Sequence, residues 1–387
     1  MLAICSDLDE TPDRHVFWEI ARYLNSSDAT PMGPGVGLEV GNSIYFDMAP
    51  DQFAYWNTDD RGRAMVQELV RSGHIDCIHS FGDLATTRAH AARALEELQR
   101  HGCRLEVWVD HAVAPSNFGG DIMRGRGDVT GAAVYHADLT CGFGVRYVWR
   151  GRITSVIGQD VPRSLRDVFD RGHAVASART LAKEWAKGWL GRLGSRKYAI
   201  HAPNEALCPV RLRDGRPVWE FLRVNSYWGG VDDAASAAGL AEVLRPRFLD
   251  ALVRRGGVAL VYTHLGKVTD RREPVPKATR DALRLLASYR DSGHILVTTT
   301  RRLLDWCRRK REARVSLSES GASLRVVVSL PGKEDAFDGL TLYVPAGRHV
   351  QVALNDRELV GLRTNPPDHS GRTSISLEWK RLQFPCP

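Results

Sequence analysis

From residue 1 to about 312, short apolar runs alternate with amphipathic helical patterns, and this alternation leaves few folds open to the chain. Residues 2–5 read as a strand that stops at Ser6-Asp7-Leu8-Asp9. Thr11-Pro12 then supplies a helix cap and a proline at the first helical position, and Phe17, Ile20, Ala21 and Leu24 mark one helix face. Strands are expected at 37–40 and 43–46, followed by a helix over 61–72 and a strand at Ile75–His79 that runs into Ser80-Phe81-Gly82-Asp83. A helix over 86–101 leads to a strand at 105–109 that runs into Asp110-His111.

The pattern loosens over 112–215, where a strand at 145–149, a helix near 178–193 and a hairpin turning at Asp214-Gly215 are expected. A helix over 235–255 precedes a strand at 258–262 that ends in Thr263-His264. A helix over 277–291, a strand at 294–299 and a helix over 301–312 complete the series. Strands alternating with helices predict a parallel sheet, and seven or eight such units predict an α/β fold, a (β/α) barrel, over residues 1–312. Beyond 313 the period changes to two, with Leu324, Val326, Val328 and Leu330 alternating with other residues, so a small all-β sandwich is expected over 313–387.

Composition narrows the classes further. At 43% hydrophobic and 26% charged, the 387-residue chain can bury a core and is not a disordered polymer. No stretch approaches the ~18 uninterrupted apolar residues of a membrane span. The seven cysteines are odd in number and form no CxxC pair, so they read as free thiols in a reducing compartment. The opening residues carry Asp7 and Asp9 and no basic-then-apolar leader pattern, which points to the cytoplasm. The net charge of +7 raises the question of nucleic acid. Its densest basic run, Arg308-Arg309-Lys310-Arg311, ends a helix, where cations favour the dipole, and no groove-reading motif accompanies it. That run is expected to be a solvated helix end and not a nucleic-acid patch.

In a parallel α/β barrel the chemistry sits at the C-terminal ends of the strands. Asp7 and Asp9 follow the first strand, His79 and Asp83 the third, Asp110 and His111 the fourth, and His264 a late one. Oxygen and nitrogen donors arriving from several adjacent strand ends are the set that holds a divalent metal. Each residue also has a plainer reading. Asp7 and Asp9 can cap the loop and first helix, Asp83 can cap the helix after it, and His79 can be a core histidine bonded to a carbonyl. Asp110-His111 and His264 can be ordinary loop starts. The grouping at successive strand ends favours a site.

A first-strand aspartate pair, Asp7-Leu8-Asp9, a third-strand His79-Ser80-Phe81-Gly82-Asp83 and a late-strand Thr263-His264 resemble the polysaccharide deacetylase family of the glycoside hydrolase/deacetylase barrel superfamily. The resemblance covers residues 1–312 and implies a metal-dependent hydrolase that removes an acetyl group from a saccharide or polysaccharide. It implies Asp7 as catalytic base and His264 as general acid. Asp9 and His79 are implied as ligands of one divalent metal, Zn²⁺, with Asp83 or His111 completing the set. The sequence departs from the family pattern at three places. Leu8 separates the aspartates, Asp83 stands where a second histidine is expected, and Asp110-His111 with Asn117 replaces an arginine-proline motif. Asp110 and Asn117 are expected to contact substrate, and Trp108, Trp228 or Tyr227 to stack on a sugar face, although most of these aromatics can equally be core.

Two other readings remain open. Asp7-Leu8-Asp9-Glu10-Thr11 matches the DxDxT motif of haloacid dehalogenase-like phosphatases, with Asp7 as nucleophile and Asp9 as acid/base. That family also needs a strand-end Ser or Thr, a lysine and an acidic pair; Lys267 follows Asp232-Asp233 in the wrong order, and the histidines are left unused. The alternative is a non-catalytic carbohydrate-binding barrel, which predicts no bound metal.

Overall fold

The computed structural model describes residues 1–8, 11–225, 237–320, 323–332, 336–345, 347–355, 357–368 and 371–386. Asp9, Tyr227, Trp228 and the Asp232-Asp233 pair lie outside the described residues. The chain divides into two compact units, one of residues 1–304 and 382–387, the other of residues 305–381.

The first unit is built on a curled, mostly parallel sheet. Its strands are β1 (Leu2–Ser6), β2 (Gly41–Ile44), β3 (Ile75–His79), β4 (Val107–Val109), β5 (Tyr147–Trp149), β6 (Leu207–Arg211), β7 (Pro217–Phe221), β8 (Ala259–Thr263) and β9 (Val297–Thr298). In space the order is β8-β1-β2-β3-β4-β5-β7-β6, with β9 also pairing with the start of β1. All pairs are parallel except the β6–β7 hairpin, which turns at the expected Asp214-Gly215. Strand numbers rise across the sheet from β1 to β5 without the reversal that marks a doubly wound sheet. A second small pairing, Ile153–Thr154 with Arg223–Val224, continues the chain beyond β5 and β7. The hydrogen-bonded ladders among the described residues form a curled half-barrel.

The helices follow the sequence patterns because their apolar stripes face this sheet. Arg14–Asn25 buries Phe17, Ile20, Ala21 and Leu24, and the Asp13 carboxylate caps its first turn. Asp60–Arg71, Arg88–Arg100 and Lys277–Asp291 bury their apolar faces in the same way. Three expectations are corrected, the first being the cap: Asp13 and not Thr11 caps the first helix, and Pro12 lies before it. Residues 37–40 are buried but form no strand, because Val36 and Leu38 N–H groups donate to the Tyr23 and Leu24 carbonyls at the end of the first helix. The single helix expected over 235–255 is two, Ala237–Val243 and Pro246–Arg255, since Pro246 cannot continue a helix and starts the next one.

The second unit has two small sheets. Arg314–Ser320, Ser323–Ser329, His349–Leu354 and Arg357–Glu358 make one, and Thr341–Tyr343, Ser374–Ser376 and Arg363–Asn365 the other. Both contribute to one core around Leu324, Val326, Val328, Phe337, Val352, Leu354 and Ile375. The basic run in this unit is not a bare helix end. Arg308 is buried and pairs with Asp305 and Glu312, Arg309 pairs with Asp305, and Lys310 lies over Trp306. No helix among the described residues is long and apolar enough to cross a membrane.

Candidate active site

Alternation along the strands sends every second side chain to the inner face of the curled sheet. On β1 that face carries Cys5 and then Asp7, on β3 Cys77 and then His79. On and just past β2 it carries Ser43 and Tyr45, and on and just past β8 Tyr262 and His264. The result is two layers. Cys5 and Cys77 form the lower one, with sulfur atoms 3.7 Å apart. Asp7, Ser43, His79 and His264 form the upper one, at the C-terminal strand ends.

Asp7 is the centre of the upper layer. The Ser43 hydroxyl donates to its Oδ1 at 2.8 Å. His79 Nδ1 lies 3.7 Å from the same oxygen, while His264 Nε2 and Arg223 Nη1 lie 3.8 and 3.9 Å from Oδ2. Burial works to raise the Asp7 carboxyl, but the Arg223 guanidinium, the Ser43 bond and any proton carried by His79 or His264 work against it and bring it to about 2. His79 is itself driven well below the usual imidazole range by burial, so it is neutral at pH 7. The lasting cation beside Asp7 is therefore Arg223.

Arg223 enters from the strand pair beyond β7 and is 1% exposed. Its guanidinium lies over the rings of both Trp149 and Tyr262, 4.1 and 4.7 Å from their centroids. Nη2 donates to Cys5 Sγ at 3.4 Å, and Nε and Nη1 have no hydrogen-bond partner among the described residues. Tyr45 stacks on His79 with centroids 4.4 Å apart, and His111 meets the edge of the same imidazole at 4.8 Å. His111 Nδ1 bonds Asp83 Oδ1 at 2.8 Å. The His264 and His111 side chains are 13% and 19% exposed while Asp7 and His79 are buried, so the group opens to solvent at the two outer imidazoles.

The turn after β3 holds this arrangement. Ser80, Phe81 and Gly82 have consecutive left-handed φ values of 52°, 61° and 105°. The Phe81 carbonyl accepts from the Phe46 and Asp47 N–H groups, tying the end of β3 to the segment that follows β2. A Cβ at Gly82 would stand 2.2 Å from the Asp47 carbonyl oxygen, so glycine is required there.

The fold thus brings together Asp7, His79, His264, His111 and Asp83. It places Trp108, Asp110 and Asn117 away from that group. Trp108 is fully buried, stacked on Phe118 and edge-on to Phe81, and presents no face to a sugar. Asp110 is equally buried and accepts from Trp108 Nε1 and from the Phe118 and Gly119 N–H groups. Burial raises its carboxyl to about 7 despite those bonds. Asn117 bridges the backbone N–H and carbonyl of His111, so it shapes the loop and does not face substrate. Residues not anticipated are Arg223, Ser43 and Tyr45. The signal for Arg223 was an arginine inside the apolar run Phe221-Leu222-Arg223-Val224.

The donor chemistry suits a metal in kind, since His79 and His111 are adjacent imidazoles and Asp83 a nearby carboxylate. As placed, His111 Nδ1 is committed to Asp83 and His79 Nδ1 faces Asp7 and Ser43. Among the described residues no group of three or more His, Cys, Asp or Glu side chains is arranged to hold an ion, and Asp9 lies outside them. The described residues alone therefore do not complete the implied metal site. No family model, no curated protein and no solved structure matches the chain.

Proposed function

We propose that the first unit, read as a (β/α)-barrel-type hydrolase, removes an acyl group, an acetyl in the simplest case, from a saccharide. The observation that carries this reading is Asp7, held as a carboxylate with His264 3.8 Å away at the open side of the site. A water adds to the acyl carbonyl as Asp7 accepts its proton, and His264 gives a proton to the departing oxygen or nitrogen. The proton on Asp7 then returns to the adjacent His264, which resets the pair. Asp83 on His111 Nδ1 fixes that imidazole at the mouth, where it can bond the sugar. A divalent ion, zinc by the resemblance, belongs to this reading through Asp9 and His79, with Asp83 or His111; no step above is routed through it.

The rising strand order from β1 to β5 favours this reading over the phosphatase, whose doubly wound sheet reverses order beside the first strand. The test is hydrolysis of acetylated oligosaccharides and of a chromogenic acetyl ester, with metal content measured on protein purified without chelators. Asp7→Asn and His264→Gln should each lower the rate by about two to four orders of magnitude while the fold survives. Magnesium-dependent phosphatase activity abolished by Asp7→Asn would replace this reading with the phosphatase. Saccharide binding without turnover, unchanged in Asp7→Asn, would leave a binding module.

A further inference from the structure

Helix Ala174–Arg192 turns an apolar stripe outward. Its inner face is fixed by Glu184, which accepts from Thr154 Oγ1 at 2.9 Å and the Ser155 N–H at 3.2 Å, and by Lys187, which donates to the Ile153 carbonyl at 2.9 Å. On the other side Val175, Trp185 and Trp189 are 87%, 59% and 49% exposed, and Leu193 just past the helix is 64% exposed. Exposed Ala178 and Ala182 fill the spacing between them, so 175, 178, 182, 185 and 189 make one stripe at alternating steps of three and four. Trp185 and Trp189 stack on each other, with centroids 6.2 Å apart and planes within 6° of parallel.

The charges around this stripe have one sign. Arg179, Lys183, Arg192 and Arg196 are exposed and have no ion-pair partner among the described residues. The carboxylates of the same stretch are committed elsewhere: Asp167 to Arg254, Asp170 to Arg247, and Glu184 to Lys187. A second copy of the chain meeting this stripe would bring cation against cation. Stacked indole rings flanked by cations on one exposed helix face match instead the interface of an anionic bilayer, where indole sits at headgroup level and lysine and arginine face lipid phosphates.

We infer that helix Ala174–Arg192 docks this protein on an anionic lipid surface, with Trp185 and Trp189 inserted at headgroup level. The contact lies along the surface and does not span it. The docking does not depend on which reaction the sheet performs.

The test is co-flotation of the full chain with vesicles of phosphatidylcholine alone and of phosphatidylcholine containing about one-third phosphatidylglycerol. Wild type is expected to float only with the anionic vesicles, less so as salt rises, with a blue shift of tryptophan emission. Trp185→Ala/Trp189→Ala and, separately, Lys183→Glu/Arg192→Glu should each reduce binding by about tenfold or more while circular dichroism is unchanged. Absence of flotation on anionic vesicles at low salt, or equal flotation by the charge-reversed variant, overturns the inference. So does a wild-type dimer that the double tryptophan variant converts to monomer, which would assign the stripe to a second copy.

Discussion

Arg223 Nη1 stands 3.9 Å from Asp7 Oδ2, and both side chains are buried. No hydrogen bond joins them, yet each stands among the opposite charges that shift the other. Two buried charges of this kind stabilise less by attraction than they cost when one is left alone. The pair therefore fixes the ionisation of the site and sets what its removal does.

Replacing Arg223 by Met should destabilise the protein by about 3 kcal/mol and raise the Asp7 carboxyl, because a buried carboxylate loses its permanent counter-charge. Asp7→Asn/Arg223→Met should cost less than the sum of the two single changes. Urea unfolding of the four proteins checks this, and additive losses would show that the pair is not coupled.

Gly82→Ala should cost about 2–4 kcal/mol, since the new Cβ would collide with the Asp47 carbonyl oxygen at a left-handed position. Ala at Gly102, where nothing lies within 4 Å of the added Cβ, should cost distinctly less. Thermal melts compare the two, and equal losses would remove the steric explanation.

Asp110→Asn should lower stability by about 2 kcal/mol, because three donors converge on two carboxylate oxygens and the amide offers a donor in place of one of them. Folded variant protein should still turn over an acetylated substrate, as Asp110 does not face the site. A variant of normal stability and no activity would place Asp110 in the chemistry.

Burial lowers the imidazoles of His74 and His136 to about 4 and that of His201 to about 3. A folded-state value below the unfolded value of 6.5 means that the unfolded chain takes up protons first as pH falls. Stability from these neutral histidines is complete above pH 6.5 and drains away toward pH 4, by at most about 1.4 kcal/mol per pH unit for each. Asp110 works the other way, losing its contribution as pH rises from the ordinary carboxylate value toward 7. The stability gap between wild type and His74→Asn should therefore shrink as pH falls from 6.5 to 4. Urea midpoints across that range measure it, and a constant gap would contradict the buried neutral state.

Much of the first unit was legible locally. The strand Ile75–His79 and the helix Lys277–Asp291 have the bounds their periodicity predicts, because one apolar face and clear turn residues defined each. Residues 37–40 misled because a run buried on all sides looks like a strand whether its N–H groups bond a sheet or a helix end. At the site, Asp7, His79 and His264 stood out as polar residues at apolar strand ends. Asp110 carried the same signal at a fourth strand end, and only packing shows that it is buried and bonded by Trp108.

By itself the sequence determined the alternating strands and helices of the first unit, the period-two strands of the second, and the polar residues that close β1, β3 and β8. These follow from side-chain periodicity and backbone preference, which act over a few residues. Tertiary structure alone decided that Arg223, 216 residues beyond Asp7 in the chain, becomes its counter-charge, and that Trp185 and Trp189 face outward while Trp108 faces in. Those outcomes depend on how the sheet curls and which helix face it covers, which no local stretch of sequence encodes.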